Sequence, residues 1–273
     1  MLKYLTITLI MWLLPTSSAL ADESPYMQLI GQADKQVKKG NWAEAEQLYR
    51  EAIRSEPDNP QNVLLTANIG MLQYYDDRAH EAIATLTRAH EQAPVSVTIL
   101  MNRAKVYTAL DMTDEAIADY RRVCRLDTLL ADPHYYLALL AIERADTTEA
   151  LRQADTLASL QPDSYYNHMA RSTILLSSGK IKEALPHLTK VIELDPDAAN
   201  YGRRALCYLI QGDLGAAADD IAAGLVIDPT SGELYLYRAM LNKMRFRPDD
   251  ARSDAEKAVR YGVAAAHVKS LLE

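Results

Sequence analysis

Apolar positions recur along this chain on a helical period, and that pattern itself returns about every 34 residues. An alanine following a short polar turn appears as Ala45, Ala82, Ala116, Ala150, Ala184, Ala217 and Ala251. Twelve positions earlier stands a second small residue: Ala33, Gly70, Ala104, Ala138, Ser172, Ala205 and Ala239. Two antiparallel helices joined by a short turn approach closely only where both side chains are small. A larger residue at such a crossing would cost roughly 1–3 kcal/mol of overpacking.

Other columns agree. Twelve residues after each alanine comes a helix stop, as Pro57, Pro94, Pro162, Pro196 and Pro229, with Thr128 and Val263 in the two remaining repeats. Five residues before it lies the turn, with Gly40, Gly179 and Gly212, or Asp77 and Asp111. Gly and Asp tolerate the backbone angles that a helix terminus requires. "PDNPQN" (Pro57 to Asn62) lengthens one loop by three residues.

The phrases "GNWAEAEQLYREAIRSEPDN" (Gly40 to Asn59), "SGKIKEALPHLTKVIELDPD" (Ser178 to Asp197) and "NYGRRALCYLIQGD" (Asn200 to Asp213) resemble the tetratricopeptide repeat family. The resemblance implies an all-α fold, a right-handed α-solenoid of about seven helix–turn–helix repeats with a C-terminal capping helix. The repeats fall at about 26–59, 63–96, 97–130, 131–164, 165–197, 198–231 and 232–263, and the cap at 264–273, within a solenoid of 22–273. The first repeat departs from the pattern on its first helix. The last departs at its turn, where Phe246, Arg247 and Pro248 replace the glycine.

The N-terminal stretch is a separate object. Lys3, the apolar run Tyr4 to Leu14, and Ala19-Leu20-Ala21 have the order of a signal peptide, 1–21, cleaved after Ala21. The run is shorter than the ~20 residues that span a bilayer. No cysteine lies near the cut, which argues against a lipid-modified N-terminus. The mature chain is therefore expected in the periplasm or outside the cell, without a membrane span. Export would permit disulfides. Cys124 and Cys207 stand in repeats three apart, though, beyond the ~7 Å reach of a bridge, and are read as buried free thiols. A net charge of −8 with no basic run excludes a phosphate-backbone binder.

Numbering each repeat from its first residue puts positions 4, 7, 8 and 11 of the first helix on the packing face. Positions 2, 5, 6, 9, 12 and 13 lie opposite. Arg103, Arg171, Arg204 and Arg238 share position 7. Sixteen residues on stand Asp119, His187, Asp220 and Asp254. Structural ion pairs are expected for Arg103–Asp119, Arg204–Asp220 and Arg238–Asp254, and Arg171 lacks the corresponding aspartate. In the resembled family the variable face lines a concave groove where ligands bind. On that face repeats two to five carry Asn68, Met71, Tyr74, Tyr75, Met101, Asn102, Lys105, Tyr135, Tyr136, Leu139, Tyr166 and Met169. Tyr and Met suit adaptable binding surfaces, although packing between neighbouring helices would also use them. Some family members grip a C-terminal carboxylate with Lys, Asn and Arg. Asn68, Asn102 and Lys105 make that set incomplete here. Glu46 is placed on the outer surface of a second helix, where charge reversal should matter little.

Catalytic signatures are missing. His134 and His168 share a column of bulky rings, and His80, His90, His187 and His267 form no pair at metal spacing. Gly179-Lys180 lacks the rest of a phosphate loop. No catalytic residue, metal or cofactor is expected. The leading function is a non-catalytic scaffold holding a protein or peptide partner in the groove. A chaperone-like envelope factor of broad client range, or an enzyme with an unfamiliar carboxylate site, remain as alternatives.

Overall fold

The structure, a computed structural model describing residues 24–272, holds fifteen α-helices among the described residues and no strand. The expected signal segment, 1–21, lies outside them. The helices are α1 (Pro25–Lys39), α2 (Trp42–Ser55), α3 (Asn62–Tyr75), α4 (Ala79–Gln92), α5 (Val97–Ala109), α6 (Thr113–Leu126), α7 (Asp132–Glu143) and α8 (Thr147–Leu160). They continue as α9 (Tyr165–Ser177), α10 (Ile181–Leu194), α11 (Ala198–Gln211), α12 (Leu214–Ile227), α13 (Gly232–Met244), α14 (Pro248–Arg260) and α15 (Ala265–Leu272). This is the all-α helical-repeat solenoid class. Two compact units divide between Pro133 and His134.

Local chemistry sets the helix ends. The hydroxyls of Ser24, Ser96, Ser164 and Ser231 accept from the backbone N–H of Met27, Ile99, Asn167 and Leu234, starting α1, α5, α9 and α13. Asp146, Asp197 and Asp213 do the same for α8, α11 and α12. Such caps satisfy donors that have no intrahelical acceptor, and each is worth about 1 kcal/mol. Every hairpin turns through one residue of positive φ: Gly40, Asp77, Asp111, Ala145, Gly179, Gly212 and Phe246. Glycine takes this conformation freely, whereas Ala145 and Phe246 carry a Cβ penalty of roughly 1–2 kcal/mol.

In the first unit α1 packs on α2, α3 on α4 and α5 on α6, and each hairpin leans on the next through α2–α3 and α4–α5. In the second unit the pairs α9–α10, α11–α12 and α13–α14 repeat the arrangement, and α15 covers α13 and α14. The small-residue columns lie where helices cross. Apart from the glycine, no member of either column is more than 2% exposed. At Gly70 an added Cβ would come within 2.7 Å of Leu86 Cγ, so the column tolerates no side chain there. The three-residue insertion is tied down: the Asn62 amide donates to the Glu56 and Pro57 carbonyls, and Tyr26 Oη donates to Asn62 Oδ1 at 3.2 Å.

Neither cysteine forms a disulfide. Cys207 is buried, and burial pushes its thiol pKa up. Cys124 is only half-buried, a correction to the expectation that both are enclosed, because its place on α6 lies at the edge of the hairpin interface.

Candidate functional site

In the first unit, the expected groove residues come from α3 and α5. Met71, Tyr74 and Tyr75 are half-buried, and Tyr75 lies 5.3 Å from Trp42 and 5.5 Å from Tyr74, ring to ring. Burial pushes the Tyr74 and Tyr75 phenols up, aided by the charge of Asp77 at Tyr74. The Asn68 amide donates to Tyr49 Oη, whose own hydroxyl donates to Asp34 Oδ1 at 2.5 Å, so Asn68 serves a packing network. Asn102 and Lys105 are half-buried on α5. Burial depresses the Lys105 ammonium and Asp132 opposes that fall, while burial raises the Asp132 carboxyl.

The second unit collects Tyr135, Tyr136 and Leu139 on α7 with Tyr166 and Met169 on α9. Tyr135 and Tyr166 face each other at 4.8 Å between ring centroids, and Tyr165 adds a third ring 5.7 Å from Tyr166. Three expected groove residues require correction. Met101, Tyr136 and Met169 are only 7%, 3% and 1% exposed, so they form the floor under their neighbours and offer no contact surface. A helical wheel gives a residue's direction around its own helix, but not the burial that packing against other helices adds.

At the repeat interiors, Arg103 Nε and Nη2 donate to Asp119 at 2.7 and 2.9 Å. Arg204 grips Asp220 at 2.8 and 2.7 Å, and Arg238 grips Asp254 at 2.9 and 2.6 Å. These are bidentate forks, the strongest geometry for a guanidinium and a carboxylate. Arg171, read as lacking its aspartate, reaches Asp155 on α8 at 3.0 Å instead. Where its aspartate would stand, His187 Nδ1 meets His168 Nδ1 at 3.0 Å, a pairing that repeat spacing did not disclose.

Glu46 also departs from expectation. It is 8% exposed and accepts from Arg50 at 2.6 Å, from Gln73 at 3.2 Å and from Arg78 across the hairpin boundary. Burial works to raise its carboxyl, but the hydrogen bonds from Arg78 and Arg50 win and hold it below the ordinary range. The residue lies at a seam between hairpins, where a single-helix projection sees only an outer surface.

Sequence reasoning missed Arg203. It is exposed at position 6 of α11, beside the tyrosine set of the second unit. Its signal is in the sequence, since the position numbering used for repeats two to five also finds it in the sixth repeat.

Among the described residues no cluster of three or more His, Cys, Asp or Glu is arranged to hold a metal ion. None of their helices is long and apolar enough to cross a membrane.

A tetratricopeptide repeat family model matches residues 30–73, 68–129, 135–199 and 169–232. A tetratricopeptide repeat protein of known structure from Parabacteroides merdae is 27% identical, with a TM-score of 0.71, covering 92% of this chain and 98% of that one. PilW, a type IV pilus biogenesis factor, superposes with a TM-score of 0.67 at 15% identity, over 78% of this chain and 99% of its own, a likeness of fold alone. DnaJ homolog subfamily C member 3 of Bos taurus is 36% identical over 103 residues, 37% of this chain. The matched segment spans only 20% of that relative's length.

Proposed function

The chain belongs to the tetratricopeptide repeat family, and from that premise we propose that it is a non-catalytic scaffold, exported from the cytoplasm, that holds an extended segment of a partner protein on its variable helix face. The observation that carries this reading is the half-buried tyrosine set: Tyr74 and Tyr75 in one unit, Tyr135 and Tyr166 in the other. These positions are not required for the hairpin crossings, which the small columns already serve. A half-buried tyrosine presents a ring for apolar contact and a hydroxyl for hydrogen bonding. Repeat arrays offer extended surfaces for such segments.

Export rests on the order of Lys3, the apolar run to Leu14 and Ala19-Leu20-Ala21. Expression of the full chain in a bacterial host, fractionation and N-terminal sequencing should give a periplasmic species starting at Asp22. An intact N-terminus in the cytosolic fraction would end the export reading.

For the scaffold, in-envelope crosslinking with mass spectrometry should recover one or a few defined partners. Tyr75→Ala combined with Tyr166→Ala should weaken capture at least about tenfold, as truncated hot-spot residues do, with helicity retained. Tyr136 is left intact because it is floor. A broad spread of unfolded clients would favour the chaperone-like reading. Loss of fold without a separate binding defect would show that these rings only pack.

A further inference from the structure

Two arginines stand side by side on α11 and have opposite surroundings. Arg204 is consumed: Nε and Nη2 hold Asp220, and Nη1 donates to Thr189 Oγ1 at 3.0 Å. Arg203 meets no carboxylate within ion-pair distance among the described residues. Its contact is Nη1 with the thioether sulfur of Met169 at 2.9 Å, a weak acceptor that leaves most of the guanidinium's donors unused.

The surroundings of Arg203 are apolar and aromatic. Met169 lies beneath it, 1% exposed. Its charge acts on the phenols of Tyr135 and Tyr165, from α7 and α9, and of Tyr237 on α13. Burial pushes all three phenols up, and the Arg203 charge is among the influences opposing that rise. Gly202 keeps the helix surface low beside it, where a Cβ would press on Leu234 and Tyr237 at 3.4 Å. Among the carboxylates that act on the same phenols, Glu233 accepts from Tyr237 Oη at 2.5 Å, and Asp195 and Asp197 bear on Tyr165, but none of them pairs with Arg203. A guanidinium fork with no ion-pair partner of its own can hold a carboxylate through two parallel charge-assisted hydrogen bonds.

We propose that Arg203 is the anchor of a subsite in the second unit that takes the side-chain carboxylate of an Asp or Glu in an extended partner segment, flanked by apolar residues lying on Tyr135 and Tyr166. The proposal rests on the scaffold reading and names the chemistry of its partner. A side chain fits better than a chain terminus. A terminal carboxylate is normally held by several converging donors, but the neighbouring amides of Asn167 and Asn200 are already spent on the Pro162 and Asp195 carbonyls. One fork matches one carboxylate on a segment that continues past it in both directions.

The test uses the full chain lacking residues 1–21 and a phage-displayed decapeptide library, selected at low salt. Enriched sequences are made as fluorescein-labelled peptides with amidated C-termini and measured by anisotropy. Enriched peptides should share one Asp or Glu next to apolar residues. R203A should weaken them at least tenfold, and R203K should recover only part of the loss because lysine lacks the fork. Peptides with that acid changed to Lys should bind R203E better than they bind the parent protein. Selected peptides that need a free C-terminus, or that carry no acid and ignore R203A while Y166A weakens them, overturn this inference and leave the scaffold reading standing. No enriched peptide, or binding indifferent to both R203A and Y166A, overturns the groove reading and this inference together.

Discussion

The hairpins α9–α10 and α11–α12 are neighbours with the same repeat design, yet they solve one problem differently. Each places an arginine at position 7 of its first helix. In α11–α12, Arg204 finds Asp220 inside its own hairpin, with side-chain exposures of 17% and 6%. In α9–α10, His187 stands where the aspartate would be, and Arg171 reaches outward to Asp155, which is 71% exposed. One hairpin is cross-linked by a nearly buried ion pair. The other is held by a contact between two imidazoles and a solvent-screened bridge to the preceding helix. The same column thus yields a charge lock in one repeat and a titratable pair in the next.

The largest way to break the contrast is Asp220→Ala, which leaves the Arg204 charge enclosed without its counter-ion. Loss of one partner of such a pair costs about 3 kcal/mol or more. Urea unfolding followed by circular dichroism should show it as a clear fall in midpoint, and an unchanged midpoint would mean the pair holds nothing.

Converting one hairpin toward the other is the next test. His187→Asp gives Arg171 an aspartate at the spacing used in the other repeats, and should stabilise the protein by roughly 1 kcal/mol. If the midpoint falls instead, the histidine pair is itself the better solution for this hairpin.

A smaller effect separates them by pH. Burial depresses both His168 and His187 below the ordinary 6.5. At His168, Asp163 and Glu193 oppose the fall while Lys190 and Arg171 add to it; at His187, His168 and Arg171 deepen it. The unfolded chain therefore binds protons more readily than the folded one. Stability is complete above pH 6.5 and is lost as pH falls from there toward the folded values. Unfolding midpoints between pH 7 and 5 should decline in the parent and decline less in His187→Asp. His90, also depressed by burial, should leave a residual slope common to both proteins.

Smallest of all, Arg171→Ala should change the midpoint by less than about 1 kcal/mol, the usual range for an exposed pair. A loss as large as that of Asp220→Ala would show that the outward bridge is more than a surface contact.

How far the sequence could be read follows from where each interaction lies. The small columns were legible because a crossing within one hairpin fixes both partners at a constant offset. The Arg–Asp pairs were legible for the same reason, at sixteen residues. Arg171–Asp155 and Glu46–Arg78 were not, since they run between hairpins and depend on how one hairpin leans on the next. Burial of Tyr136 and Met169 belongs to the same class: the wheel gives a direction around one helix, but not the burial that packing against other helices adds. Arg203 was visible as a charge at a variable position. That it meets no carboxylate became visible only with α9 and α13 in place.

The packing described in each unit joins helices no more than two places apart along the chain. Such wiring has a kinetic consequence. Folding need not close a long loop before any contact forms, so the entropic toll that slows proteins with distant pairings is small. Order can start in one hairpin and spread to its neighbours, and disorder can start at an exposed end and travel inward. Amide hydrogens should then exchange in steps that follow hairpin boundaries, with the terminal helices opening at lower free energy than the helices they cover.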